Sequence, residues 1–167
     1  MKKLVQLSIL SALAIIIFSV ENIIPNPVPM IRIGLANVIT LVVLCTWGLS
    51  EAAEVVLLKI VAGNLLTGRL FSPLFTLSLC GSIAATLVMA LMLYRFSGFF
   101  SLVGISIAGA AAHNSAQIIA ARFLFIKSIP VLSLIPLFIL SSVVTGAIVG
   151  AAAVYSVKII KKHEVFS

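Results

Sequence analysis

Aspartate is missing from all 167 residues, and the carboxylate side chains are limited to Glu21, Glu51, Glu54 and Glu164. Prenyl-transfer chemistry of the usual kind holds magnesium and diphosphate with aspartate-rich motifs, and a hard cation needs several oxygen ligands close together. Four scattered glutamates do not provide them. Charge of either sign is scarce, at 9% of residues, where soluble domains carry about 25%. A water-facing surface cannot be built from that supply. Cysteine occurs twice, at Cys45 and Cys80, without CxxC spacing or a histidine neighbour, so both read as small packing residues rather than metal or redox groups. No GxxxxGK[ST] phosphate loop is present, which excludes nucleotide hydrolysis by that route. The expectation is a chain that is not an enzyme, has no catalytic or metal-ligating residues and carries no cofactor.

Apolar residues fill the space: 62% of the chain is hydrophobic and the mean hydropathy is +1.32. Inside lipid only helices or closed barrels satisfy their backbone groups, and a helix needs about 20 residues to cross the hydrocarbon core. The apolar runs, near 4–24, 33–49, 52–67, 73–94, 101–126 and 131–157, are long and do not alternate, so they predict helices. Between them lie Pro25-Asn26-Pro27-Val28-Pro29, Gly48-Leu49-Ser50-Glu51, Thr67-Gly68-Arg69, Arg95-Phe96-Ser97-Gly98 and Lys127-Ser128-Ile129-Pro130. Such short links suit antiparallel neighbours. The reading is an all-α integral membrane protein, a six-transmembrane-helix bundle forming a single domain over residues 1–167. The third run is the weakest, interrupted by Glu51, Glu54, Lys59 and Asn64.

The net charge of +7 does not point to nucleic acid, because the basic residues sit at the ends of apolar runs rather than on one polar element. With an even number of spans, Lys2, Lys3, Arg95, Lys158, Lys161 and Lys162 share one side and Arg32, Arg69, Arg122 and Lys127 the other. Positive charge marks the cytoplasmic face, so both termini are expected in the cytoplasm, in a multi-pass protein of the cell (inner or plasma) membrane. Lys2 and Lys3 before the run Leu4 to Val20 also look like a signal peptide, but Ser19-Val20-Glu21 is a poor cleavage site and a retained first helix is expected.

Small residues at helical spacing predict close helix contacts at Ser142-xxx-Gly146-xxx-Gly150, Gly81-xxx-Ala85 and Gly104-xxx-Ala108-xxx-Ala112. Ser8-xxx-Ala12 on the first run suits either an internal contact or a face for another membrane protein.

Polar groups at membrane depth are costly and usually face the bundle interior. Glu21 closes the first run, Arg32 and Asn37 open the second, Asn64 and Arg69 end the third and Ser72 begins the fourth. All of these fall toward the outer side. On the fifth run Asn114, Gln117 and Arg122 lie in the outer half and His113 near the middle, with His113 and Gln117 on one helix face. Five runs therefore bring polar groups to one level, as a pocket entered from outside requires. A plainer reading stays open: the cations snorkel to the interface, and the asparagines are hydrogen-bond glue between helices. The candidate substrate-binding set is Arg32, Asn37, Asn64, Arg69, His113, Asn114 and Gln117. Its cationic balance favours an anionic substrate such as a carboxylate or phosphate. No carboxylate sits at a span centre, and Lys59, the one charge there, is a thin basis for a proton relay. A binding subunit that borrows its energy from a partner is the reading left standing, with a stand-alone secondary transporter as an alternative.

Three segments carry a resemblance: Pro27-Val28-Pro29-Met30-Ile31-Arg32-Ile33-Gly34-Leu35-Ala36-Asn37, then Phe71-Ser72-Pro73 with Leu77-Ser78-Leu79-Cys80-Gly81, then Ala112-His113-Asn114-Ser115-Ala116-Gln117. They resemble the Gx transporter family, also labelled heptaprenyl diphosphate synthase component I, which is similar to the substrate-binding S components of energy-coupling factor (ECF) transporters. The resemblance implies a six-helix S component that captures a small nutrient from outside and is reoriented by a membrane coupling protein with two ATPase subunits. It also implies that Ser8 and Ala12 on the first helix meet that partner. The synthase label implies instead an accessory membrane role in isoprenoid diphosphate synthesis.

Overall fold

Helices begin and end where the chain supplies local signals. In the computed structural model, which describes residues 2–24, 34–96, 98–125 and 135–165 and the side chains of 3–160 among them, the elements are α1 (Lys2–Ile23), α2 (Ala36–Thr46), α3 (Leu49–Leu66), α4 (Pro73–Phe96), α5 (Leu102–Leu124) and α6 (Ile135–Val165). Ser72 caps α4 by accepting from the Phe75 N–H, and Pro73 follows at the first helical position, where its missing N–H removes no intrahelical bond. Ser101 caps α5 in the same way, accepting from the Gly104 N–H at 3.2 Å. Gly68, at φ 66°, ends α3 in a Schellman turn: its N–H reaches Leu65 O and the Arg69 N–H reaches Asn64 O at 2.8 Å.

Among the described residues six helices stand near the six expected apolar runs, although α3 opens at Leu49, inside the expected Gly48–Glu51 break. Four of them, α1, α4, α5 and α6, are long and apolar enough to cross a membrane, and the chain is a helical membrane protein. α2 has 11 residues, about 16 Å at ~1.5 Å per residue, and α3 carries Glu51, Glu54 and Lys59 within its 18 residues.

α2 is the hub. Ala36 and the unbroken stretch Ile39 to Leu44 are buried, because neighbouring helices surround this short helix, whose polar residues Asn37 and Thr40 share one face. α1, α3, α4 and α6 all touch it, and the outer helices pack as α1 on α3, α3 on α4, α4 on α5 and α5 on α6. The α5–α6 seam is the closest. A Cβ on Gly146 would stand 2.6 Å from the Ile107 Cα, and one on Gly150 would stand 2.7 Å from the Val103 Cα, so the backbones meet only because these residues have none. The expected stripe on α6 is therefore a packing surface. On α5 the close approach is at Gly109, which makes room for Met89, whereas Gly104 neighbours only Phe100 and Ser101 of its own turn. On α1, Ser11, Ala14, Phe18 and Asn22 face inward, while Ser8 and Ala12 lie exposed beside Leu4, Val5, Ile9, Leu13 and Ile16. Lys3 pairs with Glu51, tying the starts of α1 and α3 together at one end of the bundle.

Candidate functional site

At the opposite end, α1 and α3 finish, α5 approaches its end, and α2, α4 and α6 begin. The entry to α2 is shaped by Gly34, whose φ of 75° is open chiefly to glycine. Its carbonyl accepts from the Asn37 N–H at 2.8 Å, and the Leu35 N–H donates to Glu21 Oε1 at 2.8 Å. The last turns of α1 are thus bound to the first turn of α2, and Asn37 is aimed at α3.

There it meets Lys59. This lysine is 1% exposed, and its Nζ donates to Asn37 Oδ1 at 2.7 Å and to Thr40 Oγ1 at 2.9 Å. Asn37 and Thr40 are three apart and share a helix face, so α2 presents two acceptors to one ammonium. A lysine buried in an apolar helical bundle is costly, and each hydrogen bond to a charged group returns about 1.5–3 kcal/mol. The two bonds offset the burial. An ammonium has three donors, so one is left beyond this pair.

Lys59 and Asn37 line a cavity of about 40 Å³ together with Glu21 from α1, Ser78 and Ser82 from α4, His113, Asn114 and Gln117 from α5, and Thr145 from α6. All six helices reach it. Gly81 lets α5 seat its polar face against α4: a Cβ there would lie 2.9 Å from Gln117 Cγ and from His113 Cε1 and Nε2. Gln117 is 4% exposed, and its Oε1 has no hydrogen-bond partner among the described residues. Asn114 faces both the cavity and α6, where its Nδ2 donates to Ser142 Oγ at 2.8 Å and to Phe138 O at 3.2 Å. It is a cavity wall and interhelical glue at once.

Of the sequence-derived candidates, Asn37, His113, Asn114 and Gln117 come together in this cavity. Asn64 and Arg69 do not line it. Asn64 is buried but donates its amide to Ile60 O at 2.7 Å within its own helix, and Arg69 follows the turn that ends α3. Arg32, the Pro25–Pro29 segment and Lys127 lie outside the described residues. Sequence reasoning left Lys59 out of the binding set. Its signal was present, the one charge near a span centre, but nothing in the spacing linked position 59 to positions 37 and 40.

A family model described as heptaprenyl diphosphate synthase component I matches residues 10–156. The chain belongs to that family. The match takes in all the described residues that line the cavity, from Phe18 on α1 to Thr145 on α6. No curated protein and no solved structure matches the chain.

Proposed function

We propose that this family member is a membrane substrate-binding subunit of the S-component kind, which captures a small nutrient or precursor carrying an anionic group from outside the cell and takes its energy from a membrane coupling protein with two ATPase subunits. The observation that carries the reading is the polar cavity inside an apolar bundle, with the fully buried Lys59 ammonium in its wall. An ionisable group held at that depth is expensive and marks a substrate or ion pathway far more often than a structural contact. On this reading all six helices span the cell membrane, both termini are cytoplasmic and the cavity opens outward, because it lies at the end opposite Lys3 and Glu51. The exposed Ser8 and Ala12 face of α1 would meet the coupling protein. The chain itself catalyses nothing: it has no aspartate and no phosphate loop.

The family description favours a second reading, an accessory membrane component of heptaprenyl diphosphate synthesis. Reconstitution tests the binding reading against transport and synthesis by the chain itself. Purified protein in liposomes, offered an isotope-labelled small-molecule extract of cells, should retain a labelled compound in a fixed ratio to protein, and the amount should not respond to an imposed proton gradient. Accumulation that collapses with a protonophore would make the chain a secondary transporter. Elongation of farnesyl diphosphate with isopentenyl diphosphate by the purified chain would make it an enzyme.

A further inference from the structure

Three features of the cavity specify its ligand more narrowly. Lys59 has satisfied two of its donors with Asn37 and Thr40, both neutral, so its charge is solvated but not neutralised. Glu21, the one carboxylate in the cavity wall among the described residues, lines the same cavity as that ammonium, and no direct ion pair joins the two. One of its oxygens holds the Leu35 N–H, and a carboxylate has further lone pairs to offer. Gln117, buried and packed over Gly81, brings an acceptor oxygen that no described donor reaches.

We propose that the cavity recognises a small zwitterion of the amino-acid kind, Lys59 Nζ holding its carboxylate and Glu21 with Gln117 Oε1 receiving its ammonium; the proposal rests on the binding-subunit reading and narrows its substrate class. A purely anionic ligand would meet repulsion from Glu21 and leave Gln117 Oε1 unmatched. A purely cationic one would be repelled by Lys59. A molecule carrying both charges fills the gap between the two protein charges and satisfies all three groups. The free volume of about 40 Å³, room for a few waters at ~10–15 Å³ each, sets the scale: a short ligand, for which the lining side chains move apart.

The test is binding of matched probes to the purified full-length chain, by calorimetry and thermal shift. Glycine, L-alanine, L-serine, β-alanine and γ-aminobutyrate are each compared with the acid lacking the amine and the amine lacking the carboxylate. At least one amino acid should bind more than about tenfold tighter than both of its partners. Lys59→Met should weaken that amino acid by roughly ten- to a hundredfold. Gln117→Leu should weaken it toward the affinity of the acid while leaving the acid unchanged. Should Lys59→Met fail to purify as a monodisperse species, Glu21→Gln and Gln117→Leu carry the test, both losing the preference for the amino acid over the acid. Equal binding of acid and amino acid, unaltered binding by these variants, or no binding of any of the five amino acids overturns the proposal. Small molecules that co-purify with the wild-type chain separate its failure from that of the broader reading. A co-purified molecule without the two charges sinks the zwitterion alone, whereas no co-purified molecule and no bound probe sinks both.

Discussion

Gly146→Val should drive α5 and α6 apart and lower the melting temperature of the purified chain by roughly 6–12 °C, corresponding to about 3 kcal/mol or more. In lipid, helices gain little from hiding apolar surface from each other, so association rests on close packing and hydrogen bonds. At this seam the packing is backbone on backbone. The added Cβ would stand 2.6 Å from the Ile107 Cα, 3.0 Å from the Ile107 N and 3.1 Å from the Ser106 O, none of which can rotate aside. The valine methyls then force the helices apart, and the Asn114 hydrogen bonds to Ser142 and Phe138 across the same seam lengthen with them. Thermal unfolding followed by size-exclusion chromatography reads the effect. A melting point within about 2 °C of wild type would mean that α5 and α6 do not meet at Gly146.

Gly81→Val should do the reverse, sparing the fold and closing the site. A Cβ at this position would come 2.9 Å from Gln117 Cγ and from His113 Cε1 and Nε2, all parts of side chains that can swing away. The cavity they line is the space beside them. Stability should therefore fall by no more than about 1–2 kcal/mol. Binding of any amino acid that the wild type takes should weaken at least about tenfold, because two polar groups are displaced and the free volume is filled. Gly81→Ala should show the same pattern at smaller size. Normal binding together with a lowered melting point would place the ligand elsewhere and leave His113 and Gln117 as packing residues.

The contrast between these glycines also marks what the sequence made legible. Some helix boundaries have local causes in the sequence, as at Ser72 before Pro73 and Gly68 after α3, whereas Leu49 to Glu51, read as part of a break, open α3. The level of Asn37, His113, Asn114 and Gln117 along their helices was readable too, since the helical rise fixes position along each run. The direction each side chain takes around its helix was not. Asn64 lies at a suitable depth but donates its amide back to Ile60 O. Lys59 lies deeper, seven residues before the end of α3, and reaches the cavity because α2 passes beside it with Asn37 and Thr40 on the facing side. That neighbour relation arises from tertiary packing around α2, which no local spacing in the sequence announces.

Mass spectrometry of small molecules released from gently extracted, full-length protein, wild type beside Lys59→Met, bears most directly on the claim that this family member is a binding subunit. The wild type should release about one small molecule per chain, carrying an anionic group, and Lys59→Met, equally folded, should release little or none. An empty wild-type chain that instead supports prenyl diphosphate elongation would contradict the claim.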